Sequence, residues 1–428
     1  MISRPPLTQR SAYLVAGCAL FVTIVILIYP SVAFRASIEG LRVWWEIVFP
    51  ALLPFFVAAE ILMAFGVVHF LGVLLEPLMR PVFDVPGVGA FALAMGITGG
   101  YPIGAKITAN LRRKGLCNQI EGERLASFTN TADPLFMSGA VAVGMFHSPE
   151  LAGVICSVHY ISAIILGVLL RLHGGSQRRR IPELGITGKG NIFKRAFHEL
   201  YKARQADGRP VGQIFGDSVR DSVGSLLLVG GFIMMFSVII EVLTVSGVLK
   251  LVQVPLTLIT GPFNIKDTLI SPMISGFFEI TLGTELASKA AAPLLDRLMV
   301  TNAVIAWSGL SVFGQVSAMV SGTDMRMTPY FISRLIHALI AAVITAISMS
   351  PYGQGLAKLV APVFVLEPAA IQAPFYLRLL SSFTRLLTIM AIMVGLSVTI
   401  WLFRRIQLVF IRVKGVKQSS SRVPRLRA

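Results

Sequence analysis

The chain has 428 residues, 55% of them hydrophobic and only 14% charged, and its mean hydropathy is +0.76. That balance excludes a water-soluble domain of this size: about eight to ten stretches approach the ~20 apolar residues a helix needs to cross a bilayer. The formal charge of +17 raises nucleic acid as a partner, but the basic residues cluster in loops, so no nucleic-acid partner is expected. A closed β-barrel is the other architecture that spans a membrane. Its strands alternate polar and apolar residues over about ten positions, whereas residues 22–29 and 226–240 are apolar on every face. An all-α polytopic membrane protein is therefore predicted.

In chain order, residues 1–43 are read as a cytoplasmic N-terminus and a first transmembrane helix. Arg4 and Arg10 precede the apolar run 12–29. Pro30, Ser31 and Val32 lead from it into bulky residues without a small-residue cleavage site, so the run is expected to stay as an uncleaved span. Residues 44–66 make a second crossing, and residues 67–82 an amphipathic stretch ended by Pro81 and Pro86. The next apolar run, 90–104, is interrupted by Gly96, Gly99, Gly100, Pro102 and Gly104 and followed at once by Arg112, Arg113 and Lys114. Such a run predicts a re-entrant hairpin rather than a plain span. Crossings at 125–146 and 151–170 follow.

Residues 172–220 form a basic central loop, with Arg178, Arg179, Arg180, Lys189, Lys194, Arg195, Lys202, Arg204 and Arg209, just after Arg171. A second basic segment is the tail, from Arg404 and Arg405 through Arg427, which contains no acid. Lys/Arg excess beside membrane spans marks the cytoplasmic side, which places both segments and both termini inside. The same charges provide a hold on anionic membrane lipid.

Beyond the central loop the features recur. Phe56, Glu60 and Gly66 are matched by Phe236, Glu241 and Gly247 with identical Glu-to-Gly spacing. GITGGYPIG from Gly96 is matched by GFFEITLG from Gly276, and NTADPLFMSGAVAV from Asn130 by IAWSGLSVFGQVSA from Ile305. Three matches in order argue for an internal duplication, residues 44–171 and 221–349. An external loop, 350–379, precedes a last helix and basic tail, 380–428. The first repeat begins outside and ends at the basic loop inside; the second begins there and ends outside. The expected fold is thus an inverted repeat with two re-entrant hairpins and discontinuous helices, a plan many secondary transporters use to hold solute and ion near the midplane.

Polar groups inside apolar runs are the candidate site, because a charge at the bilayer centre costs ~2.5 kcal/mol or more. Asn130, Thr131 and Asp133 stand directly before Pro134. One reading has proline opening the helix and freeing carbonyls for a cation or polar ligand. The other has a helix that starts late, with Asp133 as N-cap and Pro134 at its first position. Glu279, Thr281, Thr284 and Glu285 lie at the second hairpin tip, with Glu279 favoured over Glu285 as proton or Na⁺ carrier because Glu285 is nearer the aqueous end of its arm. At the first tip Thr98, Gly99, Gly100 and Tyr101 expose backbone groups. Lys106 either pairs with an acid or anionic ligand or snorkels to the inner interface. Ser308, Gly309, Ser311 and Gln315 hold in the second repeat the place of Asp133 in the first, as hydrogen-bonding groups for a solute.

Glu60 and Glu241, at equivalent points, are expected to bond neighbouring helices. His147, His159 and His337 show no ligand spacing, and Cys18, Cys117 and Cys156 read as small core residues, so neither metal nor cofactor is expected. Walker, Rossmann, GxSxG and HExxH signatures are absent, and no enzyme activity is expected.

FPALLPFFVAAEIL from Phe49, GITGGYPIGAKI from Gly96 and FTNTADPLF from Phe128 resemble the YlbJ family of sporulation integral membrane proteins, and the likeness runs over about residues 44–347. That family belongs to the nucleoside-recognition or Gate group, with the spore maturation proteins and the membrane part of the ferrous iron transporter FeoB; the concentrative nucleoside transporters share the domain. The resemblance implies a transporter-like multi-pass protein of the cell membrane in endospore formers, in the mother-cell-derived membrane, needed to build the spore cortex. It implies Asn130, Asp133 and Glu279 as the nearest equivalents of ligand-binding groups, and a homo-oligomer. No copy of the nucleoside-binding motifs themselves is present. The expected function is ion-coupled (H⁺ or Na⁺) movement of a small polar solute. The rival is a non-transporting scaffold that recruits cortex or coat proteins through the basic loops. An intramembrane enzyme acting on a lipid-linked precursor through Asp133 and Glu279 is a third, less favoured reading.

Overall fold

A computed structural model of the chain describes residues 9–174, 192–260 and 266–350. The described residues contain helices and turns and no strand. The expected external loop, last helix and tail lie outside them, as do Arg4, Arg178, Arg179, Arg180 and Lys189. Among the described residues five helical stretches are long and apolar enough to cross a membrane: Pro30–Ala64, Leu151–Leu172, Val211–Val245, Leu294–Met319 and Met327–Met349. Shorter apolar helices, Ala16–Ile28, Gly89–Gly99 and Phe136–Met145, supplement them.

The first apolar run is α1 (Gln9–Ile28), and α2 (Pro30–Val43) follows it. Pro30 opens α2 where no N–H is needed. A π-helical turn, Trp44–Val48, leads into α3 (Phe49–Ala64). That turn directly precedes Pro50, whose ring cannot donate to the Glu46 carbonyl; the wider winding accommodates it. The composite rod 30–64 lies antiparallel to α10 (Val211–Val245). Ser237 donates to the Ala36 carbonyl at 2.8 Å and the Trp44 indole to the Leu226 carbonyl at 2.9 Å, and Gly230 makes room for the Trp44 ring. Helix α10 begins inside the segment read as loop.

Gly66, with φ of 78°, separates α3 from α4 (Val67–Leu78), which ends in a π-helical turn, Met79–Phe83. Helices α5 (Gly89–Gly99) and α6 (Ile103–Arg113) form a hairpin whose tip is Gly100, Tyr101 and Pro102. Gly96 and Gly104, one on each arm, rest on the Thr129 carbonyl, and a Cβ at either would overlap that oxygen. Thr129 ends α7 (Gln119–Thr129), which starts at a capping box of Asn118 and Glu121. Residues 130–133 leave the helix, and the chain resumes as a ten-residue π-helix, Phe136–Met145, before α8 (Leu151–Leu169).

Part of the basic segment is helix α9 (Ile192–Asp207). It docks on α4 through Arg195 and Glu76, 2.6 Å apart, and through Phe197 against Phe70. After α11 (Val248–Thr260), α12 (Ile270–Phe278) and α13 (Ile280–Lys289) make a second hairpin joined at Glu279, with Gly276 and Gly283 in backbone contact between the arms. Helix α14 (Leu294–Trp307) breaks at Ser308 and Gly309, whose φ values of 73° and 83° are left-handed, and continues as α15 (Gly309–Met319); α16 (Met327–Met349) follows.

Each hairpin meets the break of its own half and packs on the other half: α6 shares a core with Val312 and Val316 of α15, and Thr284 of α13 touches the Met145 sulfur. One end of the bundle is tied by ion pairs. Arg112 grips Asp324 through two bonds of 2.7 and 2.8 Å, and Arg326 grips Glu123 through bonds of 2.8 and 3.0 Å. Both join the α15–α16 loop to the first half.

Two expectations are corrected, on Glu60 and Glu241 and on Cys18. Among the described residues neither Glu60, which is half-buried, nor Glu241, which is exposed, forms a hydrogen bond or ion pair. Lys106 is exposed, as the snorkelling alternative has it, because the neighbouring Ala105, Thr108 and Ala109 take the buried face of α6. Cys18 is exposed on α1, whereas Cys117 and Cys156 are buried.

Candidate functional site

A cavity of about 70 Å³ lies where the two hairpins, the two breaks, α3 and α10 converge, enough for a few water molecules. Its polar lining is Tyr101 of the first tip, Asp133 of the first break, Glu279 and Thr281 of the second hairpin, and Ser311 and Gln315 of α15. Phe56, Phe136 and Phe232 supply apolar walls. Among the described residues lining it, two carry carboxylates and none is basic.

Helix ends hold both acids. Oδ1 of Asp133 accepts the N–H groups of Leu135 and Phe136 at 3.0 and 2.8 Å, and Oε2 of Glu279 accepts the Leu282 N–H at 2.8 Å. Each carboxylate is thus an N-cap, stabilised by the unpaired N–H groups and the positive end of the helix dipole. The helix breaks at residues 130–133, and Asp133 caps the next segment with Pro134 at its start, as the late-start reading has it. With two carboxylates and no basic side chain among its described lining residues, the cavity is suited to a cation, a proton or a solute rich in hydrogen-bond donors.

The remaining predicted residues divide between lining and support. Tyr101, Asp133, Glu279, Thr281 and Gln315 reach the cavity, as does Ser311. Gly99 and Gly100 shape the first tip, with Gly100 close against the Asp133 carboxylate. Thr98 bonds back to the Ala94 carbonyl, and Thr284 to the Ile280 carbonyl at 2.9 Å. Thr131 reaches the Gly96 carbonyl at 3.3 Å, Asn130 donates to the Tyr330 hydroxyl at 2.9 Å, and the Ser308 hydroxyl is buried without a partner among the described residues. Glu285 pairs with Lys289 at 2.5 Å further along the arm.

Spacing along the chain did not reveal two buried groups. His159 accepts the Ala132 N–H on Nε2 at 3.1 Å, and its ring lies 5.0 Å from that of His337, which meets the Ser162 hydroxyl at 2.9 Å. Arg334 of α16 is 1% exposed and sits between the two breaks. An ionisable residue in the apolar run FISRLIHALIAAV was the available signal.

The family model described as Gate, nucleoside recognition, matches residues 45–174, which contain the first hairpin and first break. A solved structure of CNTnw in its intermediate 3 state is 14% identical, with a TM-score of 0.44 over 80% of this chain and 88% of that one. The sporulation integral membrane protein YlbJ of Bacillus subtilis (strain 168) is 43% identical over 345 residues, 81% of this chain and 84% of that protein. That extent of identity, over both hairpins and both breaks, makes the chain a member of the YlbJ family of sporulation integral membrane proteins.

Proposed function

We propose that this multi-pass, sporulation-related membrane protein is an ion-coupled carrier of a small polar solute, in which the halves form an inverted pair and the hairpins enter the membrane from opposite sides. One observation carries the reading: a single cavity takes one helix-capping carboxylate from each half, Asp133 and Glu279. Alternating access then consists of the hairpins moving against the breaks, with the acids exchanging a proton or Na⁺ and Tyr101, Ser311 and Gln315 orienting the solute. Both termini lie in the cytoplasm, and in a spore former the membrane is the mother-cell-derived one. Asp133→Asn and Glu279→Gln keep the caps and remove the charge. Introduced into a B. subtilis strain lacking its YlbJ, either variant should reach the membrane at wild-type level and fail to restore spore heat resistance. Full restoration by both would refute the carrier.

The scaffold reading draws on α9, where Phe193, Phe197 and Tyr201 are exposed at four-residue spacing. It predicts the reverse pattern: loss of function on deleting residues 177–209, with silent substitutions at Asp133 and Glu279.

A further inference from the structure

Arg334 is the largest fully buried side chain among the described residues, and no described carboxylate pairs with it. Its partners are backbone oxygens. Nη1 donates to the Asn130 carbonyl at 3.1 Å and the Ala306 carbonyl at 3.4 Å, with the Tyr101 hydroxyl at 3.5 Å, and Nη2 donates to the Ser127 carbonyl. The guanidinium lies 5.3 Å from the centroid of the Tyr330 ring.

Those carbonyls share an origin. Ser127 and Asn130 belong to the last turn and cap of α7, and Ala306 to the last turn of α14. The final carbonyls of a helix have no partner within it, and each helix C-terminus carries roughly −0.5 of an elementary charge. Two such ends facing one another in a water-poor interior therefore present about −1, which one guanidinium balances. A buried charge is tolerated in a membrane interior where backbone carbonyls or a counter-charge receive it.

We propose that Arg334 is a built-in cation, holding at the meeting point of the two breaks the place that a free inorganic cation would otherwise fill. It is a positioning residue. Through the carbonyls it fixes the ends of α7 and α14, and through the Tyr101 hydroxyl, which itself donates to the Ile305 carbonyl at 3.0 Å, it fixes the first hairpin tip behind the cavity. The junction consequently takes up no Na⁺ or K⁺, and a coupling ion has to be handled on the cavity side, at Asp133 and Glu279. The built-in cation itself does not depend on whether the cavity carries a solute.

The test is thermal unfolding of the purified full chain in lipid nanodiscs, for wild type, Arg334→Ala, Arg334→Lys and Arg334→Gln, in choline chloride with or without low-millimolar guanidinium chloride. Arg334→Ala should lose Tm and regain at least half of the loss, saturably, with guanidinium. Arg334→Lys should keep most of the wild-type Tm without it. Arg334→Gln, which retains donors but no charge, should unfold well below Arg334→Lys. A Gln variant as stable as wild type, or an Ala variant indifferent to guanidinium, overturns the proposal. If Arg334→Ala cannot be purified, the Lys and Gln variants decide alone: Lys well above Gln supports the built-in cation, and equal Tm values contradict it. A filler role would respond to side-chain volume and not to added cation.

Discussion

The two breaks solve one geometric problem with different chemistry. The first opens residues 130–133, places Asp133 in the gap, and resumes through Pro134 as a ten-residue π-helix. The second turns within Ser308 and Gly309, both left-handed, carries no acid, and resumes as an ordinary α-helix. At the hairpin tips the assignment is reversed: the first tip, Gly100 to Pro102, is uncharged, whereas the second is the single residue Glu279. Each half thus supplies one carboxylate, one from a break and the other from a hairpin. What they share is a helix N-terminus opening on the cavity, the setting that best supports an anion away from water. Both halves carry a hairpin and a broken helix, and in each the carboxylate sits on the N-terminus that faces the cavity.

The largest effects are expected where backbone meets backbone. Gly96→Ala or Gly104→Ala drives a methyl into the Thr129 carbonyl, and Gly283→Ala drives one into Gly276. Each should cost at least about 3 kcal/mol, the upper range for overpacking, seen as loss of monodisperse protein. Equal penalties in the two halves would sharpen the parallel between hairpins; tolerance in one half would break it.

Next come the acids. Asp133→Ala should cost ~1 kcal/mol of stability through the lost cap, whereas Asp133→Asn costs a few tenths. Tm should therefore separate the two variants while spore heat resistance is lost in both. Gly309→Ala, at φ of 83° with its Cβ 3.0 Å from the Phe278 carbonyl, should cost ~1–2 kcal/mol, the left-handed penalty. The first break, residues 130–133, contains neither a glycine nor a left-handed residue, so this penalty has no counterpart there.

The smallest effect concerns the ion-paired end. Arg112 beside Asp324 holds that carboxyl below its usual range, and a partly exposed pair contributes at most about 1 kcal/mol. A depressed carboxyl pKa stabilises the fold above its unfolded value of ~3.9, and that stability is lost as pH falls through the folded value. The Tm gap between wild type and Asp324→Asn should be constant near neutral pH and close below about pH 4.

Much of this was legible in the sequence where the signal was local. Glycines and a proline inside the apolar run 90–104 marked the first hairpin, and an acid before Pro134 marked the first break. The second break was visible only through its alignment with the first, because Ser308 and Gly309 are unremarkable by composition. Polar residues near the tips do not all reach the cavity: Thr98 and Thr284 bond carbonyls of their own turn, as helical hydroxyls commonly do. Helix α9 was hidden because its charges dominated the segment. The His159 and His337 pair needed the fold to bring α8 and α16 together.

The most direct test of the inverted arrangement is labelling of single cysteines from each face of sealed membranes, in a background lacking Cys18, Cys117 and Cys156. Lys106→Cys on the first hairpin and Lys289→Cys on the second are suitable, since both side chains are exposed. The account predicts that an impermeant thiol reagent reaches position 106 only from the cytoplasmic face and position 289 only from the opposite face. Labelling of both from the same face would contradict it.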